Sequence, residues 1–125
     1  MQTVQGRFEN TLEVNKSKFV AIILPFDDVS KFKNLLSEIK KEHAKAKHIV
    51  YAYRVKDKSK SCDDREPKGT AGRPLLELLH KRDMDQAVIF IARYFGGIKP
   101  GAGRLLRTYV QAGIDVLNKA QLVQL

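Results

Sequence analysis

The segment 93–109, RYFGGIKPGAGRLLRTY, combines glycines with cations and could hold an anion such as phosphate. Four of the chain's eight glycines lie in it, and glycine lets a backbone approach a ligand closely. A helix that begins near Gly101 would add free N–H groups and the positive end of its dipole. The cations of the segment are Arg93, Lys99, Arg104 and Arg107. With no Asp or Glu between residues 86 and 113, the segment is typical of an anion site or of a tight corner whose cations face water.

Known nucleotide-binding motifs do not explain these glycines, which are Gly96, Gly97, Gly101 and Gly103. A P-loop ends in Gly-Lys-Ser or Gly-Lys-Thr, and GGIKPGAGRL has no such ending. The Rossmann fingerprint fails because Leu106 stands where the third glycine should be. A phosphate contact here would therefore be of another kind, made by loop N–H groups and neighbouring cations.

A second candidate segment, residues 56–72, is rich in turn-forming residues and predicts a long exposed loop. Lys68 and Arg73 could assist anion binding, while Gly69 and Gly72 would shape the loop backbone. The loop also carries three carboxylates that could hold Mg²⁺ through oxygen, those of Asp63, Asp64 and Glu66. A solvated turn with an Asx hydrogen bond is the favoured interpretation of these carboxylates, so the sequence predicts no metal and no catalytic residue.

The elements that must position both segments follow from hydrophobic periodicity. Strands are expected at residues 3–14, 19–24, 49–55 and 87–95, and the last should be buried on both faces because AVIFIARYF is almost continuously apolar. Helices are expected at about 29–44, at about 72–82 and from Gly103 onward. The order β-β-α-β-α-β-α predicts an α+β fold, a two-layer sandwich of three helices on a four-stranded mixed sheet.

The composition limits the class of protein and indicates that its partners are polyanions. A chain of 125 residues with 43% hydrophobic residues predicts one compact domain. One cysteine, Cys62, excludes an internal disulfide, and no Cys/His spacing suggests zinc. No targeting segment or membrane span is evident, so we expect a cytoplasmic protein without a cofactor. A net charge of +9 favours RNA or ribosome-associated factors as partners.

The two segments together resemble a known family. DDREPKGTAGRPLLELL and ARYFGGIKPGAGRLLRTY are similar to the Impact/YigZ family, whose members read close to Asp-Asp-Gly-Glu-Pro-Ser-Gly-Thr-Ala-Gly-x-Pro and Arg-Tyr-Phe-Gly-Gly-x-Lys-Leu-Gly-x-Gly-Gly-Leu-x-Arg-Ala-Tyr. NKSKFVAIILPF and HIVYAYRV extend the resemblance over nearly the whole chain. The chain departs from the family pattern at Arg65, Lys68, Pro100, Arg104 and Thr108. Three of these five departures add positive charge, which favours a polyanion partner.

The resemblance implies a fold similar to the second domain of ribosomal protein S5, with helices on a four-stranded sheet that contains a left-handed crossover. It implies that residues 1–125 form a single Impact N-terminal-type domain. Bacterial relatives usually add a ferredoxin-like domain, which is absent from this sequence, so the chain is a minimal version or a fragment. Eukaryotic relatives are translational regulators that compete for the activator of the amino-acid-starvation kinase, and bacterial relatives are suspected of binding nucleic acid.

The function predicted from these observations is that of a translation-associated regulatory domain that binds RNA or another phosphate-rich partner. The basic glycine-rich loop and the helix start would make the contacts. One alternative is an enzyme for metal-assisted phosphoryl transfer or hydrolysis, which would use the three loop carboxylates. The other is a purely protein-binding translational regulator, for which the charged first helix and the following KKEHAKAKH offer a docking face.

Overall fold

A computed structural model of the chain describes residues 1–97 and 100–125. Within these residues the secondary structure consists of strands, three α-helices and a short 3₁₀ turn. The strands are β1 (Gln2–Val4), β2 (Phe8–Val14), β3 (Ser17–Pro25), β4 (His48–Val55), β5 (Lys58–Cys62), β6 (Ala87–Tyr94) and β7 (Leu122–Gln124). The helices are α1 (Phe32–Glu42), α2 (Gly72–Lys81) and α3 (Ala102–Lys119), and the 3₁₀ turn (Val29–Lys31) precedes α1. The α+β class and the three helices are as predicted.

The main sheet has five strands in the order β2-β3-β6-β4-β5, and each neighbouring pair is antiparallel. The predicted four-stranded mixed sheet is therefore wrong in strand number and in strand direction. The additional strand, β5, lies within the segment predicted to be a loop. Its sequence, KSKSC, has no apolar alternation because β5 is an edge strand whose first four residues are exposed to solvent.

The N-terminal alternation, which predicted one strand over residues 3–14, is divided between two sheets. Gly6 adopts a φ of +108°, which ends β1 and starts a turn into β2. β1 then pairs with β7 in a separate two-stranded sheet. β7 has only three residues, all exposed, so the sequence pattern does not predict it.

Helices cover both faces of the main sheet, so the predicted two-layer sandwich is also wrong. Along β6, Ile89 and Ile91 belong to one hydrophobic core, while Val88 and Phe90 belong to the other. The first core includes residues of α2 and α3, and the second includes residues of α1. An amphipathic stripe predicts that a helix packs against a sheet but does not say which face it covers. The result is three layers, with the sheet in the middle.

The strand β6 is the centre of this arrangement, and its C-terminal end is where the two candidate segments meet. It pairs with β3 on one side and β4 on the other, and seven of its eight residues are buried. The predicted central strand is thus confirmed. No helix in the described part of the chain is long and apolar enough to cross a membrane.

Candidate functional site

The loop after β5 and the end of β6 are joined by a buried ion pair. Arg93, the penultimate residue of β6, donates from Nη1 to both carboxylate oxygens of Glu66, at 2.8 and 2.7 Å. The side chains are 5% and 3% exposed, respectively. A carboxylate and a guanidinium are stable together in such a place only if each neutralises the other. Glu66 is therefore a structural anchor that fixes the first segment against the second.

Two further side chains complete this buried network. Tyr109 of α3 donates from its hydroxyl to Oε2 of Glu66 at 2.5 Å. His48, the first residue of β4, donates from Nδ1 to the carbonyl of Asp64 at 2.6 Å, and its Nε2 lies 3.4 Å from Oε1 of Glu66. Burial, and then the hydrogen bond to Glu66, raise the pKa of Tyr109 above its ordinary value, so the phenol remains a donor at neutral pH. Side chains from two strands and one helix thus converge on one carboxylate.

Replacing Tyr109 with phenylalanine should lower the free energy of unfolding by about 1–3 kcal/mol, because the buried Glu66 loses a donor. Urea unfolding monitored by circular dichroism would measure the change. Tyr53→Phe is the matched control, since Tyr53 is also buried but lies in the aromatic core on the opposite face of the sheet. Equal losses in the two variants would contradict a specific contribution from the Tyr109 hydroxyl.

Asp63 organises the rest of the loop through its carboxylate. Its Oδ1 accepts hydrogen bonds from the backbone N–H groups of Ala71 and Gly72 at 3.1 and 2.8 Å. Its Oδ2 accepts from the N–H of Gly69 at 2.9 Å. These hydrogen bonds span six to nine residues, so they differ from the solvated Asx turn favoured from sequence, in which the side chain bonds the backbone two residues on. The carboxylate closes the loop and presents the start of α2.

The three carboxylates considered as metal ligands have separate partners. Asp64 accepts a hydrogen bond from the N–H of Ile49 at 2.7 Å, while Asp63 binds the loop backbone and Glu66 binds Arg93. In residues 1–97 and 100–125, no group of three His, Cys, Asp or Glu side chains could hold a metal ion. The geometry therefore gives no support to the metal-assisted alternative.

The glycines after β6 allow the backbone to make a tight turn. A Cβ on Gly96 would lie 2.6 Å from the carbonyl oxygen of Lys16, and one on Gly97 would lie 2.5 Å from that of Asn15. Gly97 also has a φ of +100°, which side chains disfavour. Asn15 and Lys16 form the two-residue turn between β2 and β3. This pair of glycines thus lets the chain pass closely over the β2–β3 turn.

The remaining predicted glycines lie at other places. Gly69 is a donor to Asp63, and Gly72 packs so closely on Cys62 that a Cβ would lie 2.5 Å from the Cys62 nitrogen. Gly101 is the N-cap residue of α3, and Gly103 lies in the first turn of that helix. Neither a side-chain cap nor an acidic residue occupies this described start of α3, so its first N–H groups are open to an anion.

The two segments enclose a cleft of about 460 Å³ beside the buried network. Its lining includes Lys47, His48, Arg65, Glu66, Arg93 and Phe95. Lys47 and Arg65 are exposed cations, and the Phe95 side chain is 52% exposed. Lys47 and Phe95 were not predicted from sequence as site residues, and Arg65 was predicted only to add positive charge. The basic run KKEHAKAKH and the aromatic residue beside the glycines were the signals that could have identified them.

The predicted anion-binding cations are distributed over several places. Arg93 lines the cleft but is neutralised by Glu66. Arg104 and Arg107 are exposed on the first turns of α3, and Arg104 borders a depression of only about 10 Å³. Lys68 and Arg73 are exposed around the start of α2, where Arg73 lies 3.7 Å from Glu77. Lys99 lies outside the described residues. Among the predicted cations within the described ranges, Arg93 alone lines the cleft.

Comparison with known proteins identifies the family. The model of the Impact N-terminal domain matches residues 15–117, which include both motifs and the whole buried network. The chain belongs to the Impact family. The Impact family member YvyE of Bacillus subtilis (strain 168) is 36% identical over 125 residues, which cover 98% of this chain and 58% of YvyE. The chain spans about half the length of the curated Impact relatives it matches.

Two solved structures share the Impact fold. A crystal structure of a hypothetical protein superposes with a TM-score of 0.92 at 26% identity, covering 98% of this chain and 62% of that one. The two-domain translational regulator Yih1 superposes with a TM-score of 0.57 at 21% identity, covering 90% of this chain and 47% of that one. The first comparison confirms the arrangement of helices and sheet, and the second shows likeness of fold alone.

Proposed function

We propose that the chain is a translation-associated binding domain that holds RNA, or another phosphate-rich partner, at the C-terminal end of β6. The link to translation rests on family membership and on the description of Yih1, which shares the fold, as a translational regulator. We expect a protein with a partner of this kind to act in the cytoplasm. The polyanion part of the proposal rests on the chain's own surface.

The observation that carries the proposal is the convergence of the two motif segments on a cleft with a cationic rim. Lys47 and Arg65 are exposed at the cleft, whereas the carboxylates closest to it are engaged inside the protein. Glu66 is paired with Arg93, and Asp64 accepts from the N–H of Ile49. The charge that a ligand meets at the rim is therefore positive, in agreement with the net charge of +9.

Cations near the starts of α2 and α3 extend the proposed contact surface. Lys68 and Arg73 flank the start of α2, and Arg104 and Arg107 flank the start of α3. Lys99 would join them. The uncapped first turn of α3 adds N–H groups that suit a phosphate oxygen. A polyanion longer than one phosphate could contact several of these groups at once.

Affinity for RNA should fall steeply as salt is raised, because each phosphate contact to a single strand contributes roughly 0.7 to the slope of log K against log salt. Fluorescence anisotropy with a labelled RNA at several salt concentrations would measure that slope. The double variant Arg104→Ala and Arg107→Ala should bind more weakly with a shallower slope. Lys56→Ala and Lys58→Ala, at the turn between β4 and β5, remove the same charge as a control. Binding that is absent, or indifferent to salt, would refute the proposal.

A further inference from the structure

We infer that the cleft is one half of a continuous groove for single-stranded RNA, in which Phe95 stacks on a base and Lys47 and Arg65 contact phosphates. This inference rests on the proposed function and specifies its ligand. The other half of the groove is an adjoining depression of about 230 Å³ at the C-terminal end of α1.

The two depressions adjoin each other, because they have lining residues in common. Lys47 and Arg65 line both the cleft and the adjoining depression. The N–H of Lys47 donates to the carbonyl of Arg93 at 2.8 Å, which holds this lysine directly beside the buried network. Lys40 lines only the second depression, and Phe95 lines only the cleft. A strand lying across the shared cations would reach from Phe95 towards α1.

The electrostatics of the groove suit a phosphate backbone. Its described acidic lining residues are Asp64 and Glu66, and each has a partner within the protein. Its cationic side chains at the surface are Lys40, Lys47 and Arg65. The run KKEHAKAKH, considered from sequence as a protein-docking face, supplies two of these three cations. The fold therefore places it where it can serve the same polyanion as the motif loop.

The backbone at Arg65 has a conformation that glycine adopts more readily than arginine. Arg65 has a φ of +66° and follows Asp64, which has a φ of +45°. Glycine is the residue that adopts this left-handed conformation without strain. Six other non-glycine residues also have a positive φ, so what distinguishes Arg65 is its place in the lining of both depressions.

The aromatic side chain selects single strands over duplexes. The centre of the Phe95 ring lies 5.9 Å from the guanidinium carbon of Arg93, so the ring rests beside a fixed cation while half of the residue stays exposed. Exposed aromatic side chains in basic grooves stack on unpaired bases, and bases within a duplex are not available for such stacking. Phe95 therefore gives the groove an affinity for bases as well as for charge.

The first experiment tests stacking at Phe95. The chain contains no tryptophan, so Phe95→Trp places in the groove the only tryptophan, which can be excited selectively in the presence of the four tyrosines. Its emission should change strongly on titration with oligouridylate and little with inorganic polyphosphate, which has no bases. Phe95→Leu should weaken oligouridylate binding about tenfold and leave polyphosphate binding unchanged. Duplex RNA of the same length should bind the unmodified chain more weakly than the single strand.

The second experiment tests the shared cations with variants that keep the fold. Arg65→Gly relieves the left-handed strain, so its melting temperature should equal or exceed that of the unmodified chain. For oligouridylate binding, the slope of log K against log salt should become shallower by about 0.7 in Arg65→Gly. The same reduction is expected in Lys47→Ala. Lys58→Ala is the matched control, because Lys58 lies at the other end of β4 from Lys47, roughly 23 Å away along an eight-residue strand.

The outcomes separate this inference from the function on which it rests. If oligouridylate, duplex RNA and polyphosphate bind alike and Phe95→Leu changes nothing, the single-strand groove is refuted while polyanion binding survives. If Arg65→Gly and Lys47→Ala bind as the Lys58→Ala control does, the groove is likewise refuted. Failure of all three polyanions to bind the unmodified chain would overturn the proposed function itself.

Discussion

Replacing Glu66 with alanine is expected to lower the free energy of unfolding by about 3–5 kcal/mol, the cost of leaving one member of a buried ion pair unpaired. The side chain of Arg93, on the central strand β6, is 5% exposed, so its guanidinium would remain buried and unpaired once Glu66 is removed. Its Nε atom is already buried without a hydrogen-bond partner among the described residues, so Glu66 provides most of its compensation. Tyr109 would lose its acceptor at the same time.

Urea unfolding of Glu66→Ala, with the midpoint and the m-value fitted together, would measure this loss. Glu66→Gln keeps the shape but replaces one acceptor oxygen with an NH₂ donor, so it can keep only the hydrogen bonds that one oxygen accepts. It should still be less destabilised than Glu66→Ala, which keeps none of them. The double variant Glu66→Leu and Arg93→Met removes both charges, so it should recover much of the stability lost by Glu66→Ala. A Glu66→Ala protein within about 1 kcal/mol of the unmodified chain would show that Arg93 finds another partner or reaches solvent.

The parts of this fold that were predicted from sequence are those with a regular apolar period. β6 is continuously apolar because it is covered on both faces, and the apolar stripes of α2 and α3 repeat every three or four residues because each packs one face on the sheet. Tyr51 and Tyr53, two residues apart on β4, lie on one face of the sheet, and both contact Phe32 of α1 there. A local sequence pattern is sufficient to predict an element wherever its buried residues recur at a regular spacing.

The parts that were missed have no such period. β5 is formed by alternating lysine and serine, and only its pairing with β4 makes it a strand. β7 is three exposed residues that pair with β1 at the other end of the chain. Whether α1 covers one face of the sheet or the other depends on the direction in which the chain turns after Pro25. The apolar periodicity of the helix is the same in either case, so it does not predict the face. Tertiary pairing, rather than local propensity, determines these features.

In the candidate site, too, features set by local sequence were predicted and features set by tertiary pairing were missed. Arg93 was assigned to anion binding because it begins a basic segment, yet it is paired with a carboxylate 27 residues earlier in the chain. Nothing in the spacing of Arg93 and Glu66 reveals that they meet, because the loop and α2 between them could fold back on either face. Lys47 and Phe95 come together through the pairing of β4 with β6. A site assembled across a sheet is visible in sequence only as separate segments.

Replacing Asp63 with alanine should have the second largest effect, on the loop that carries Arg65 and on the start of α2. The carboxylate accepts three backbone hydrogen bonds, from Gly69, Ala71 and Gly72. Hydrogen bonds to a charged group contribute roughly 1.5–3 kcal/mol each, so the free energy of unfolding should fall by at least about 3 kcal/mol even if the losses are not additive. Their loss should also free the loop and weaken binding at the groove.

Asp63→Asn is the informative control, because it replaces one acceptor oxygen with a donor and leaves the size unchanged. It can keep the bonds that one oxygen accepts, so its stability should lie between those of the unmodified chain and Asp63→Ala. Hydrogen exchange would locate the effect, with the amides of Gly69, Ala71 and Gly72 losing protection first. If these amides remained protected in Asp63→Ala, the loop would be held by Glu66 and its network alone. In that case the ion pair with Arg93, rather than the Asp63 carboxylate, would position Arg65 at the groove.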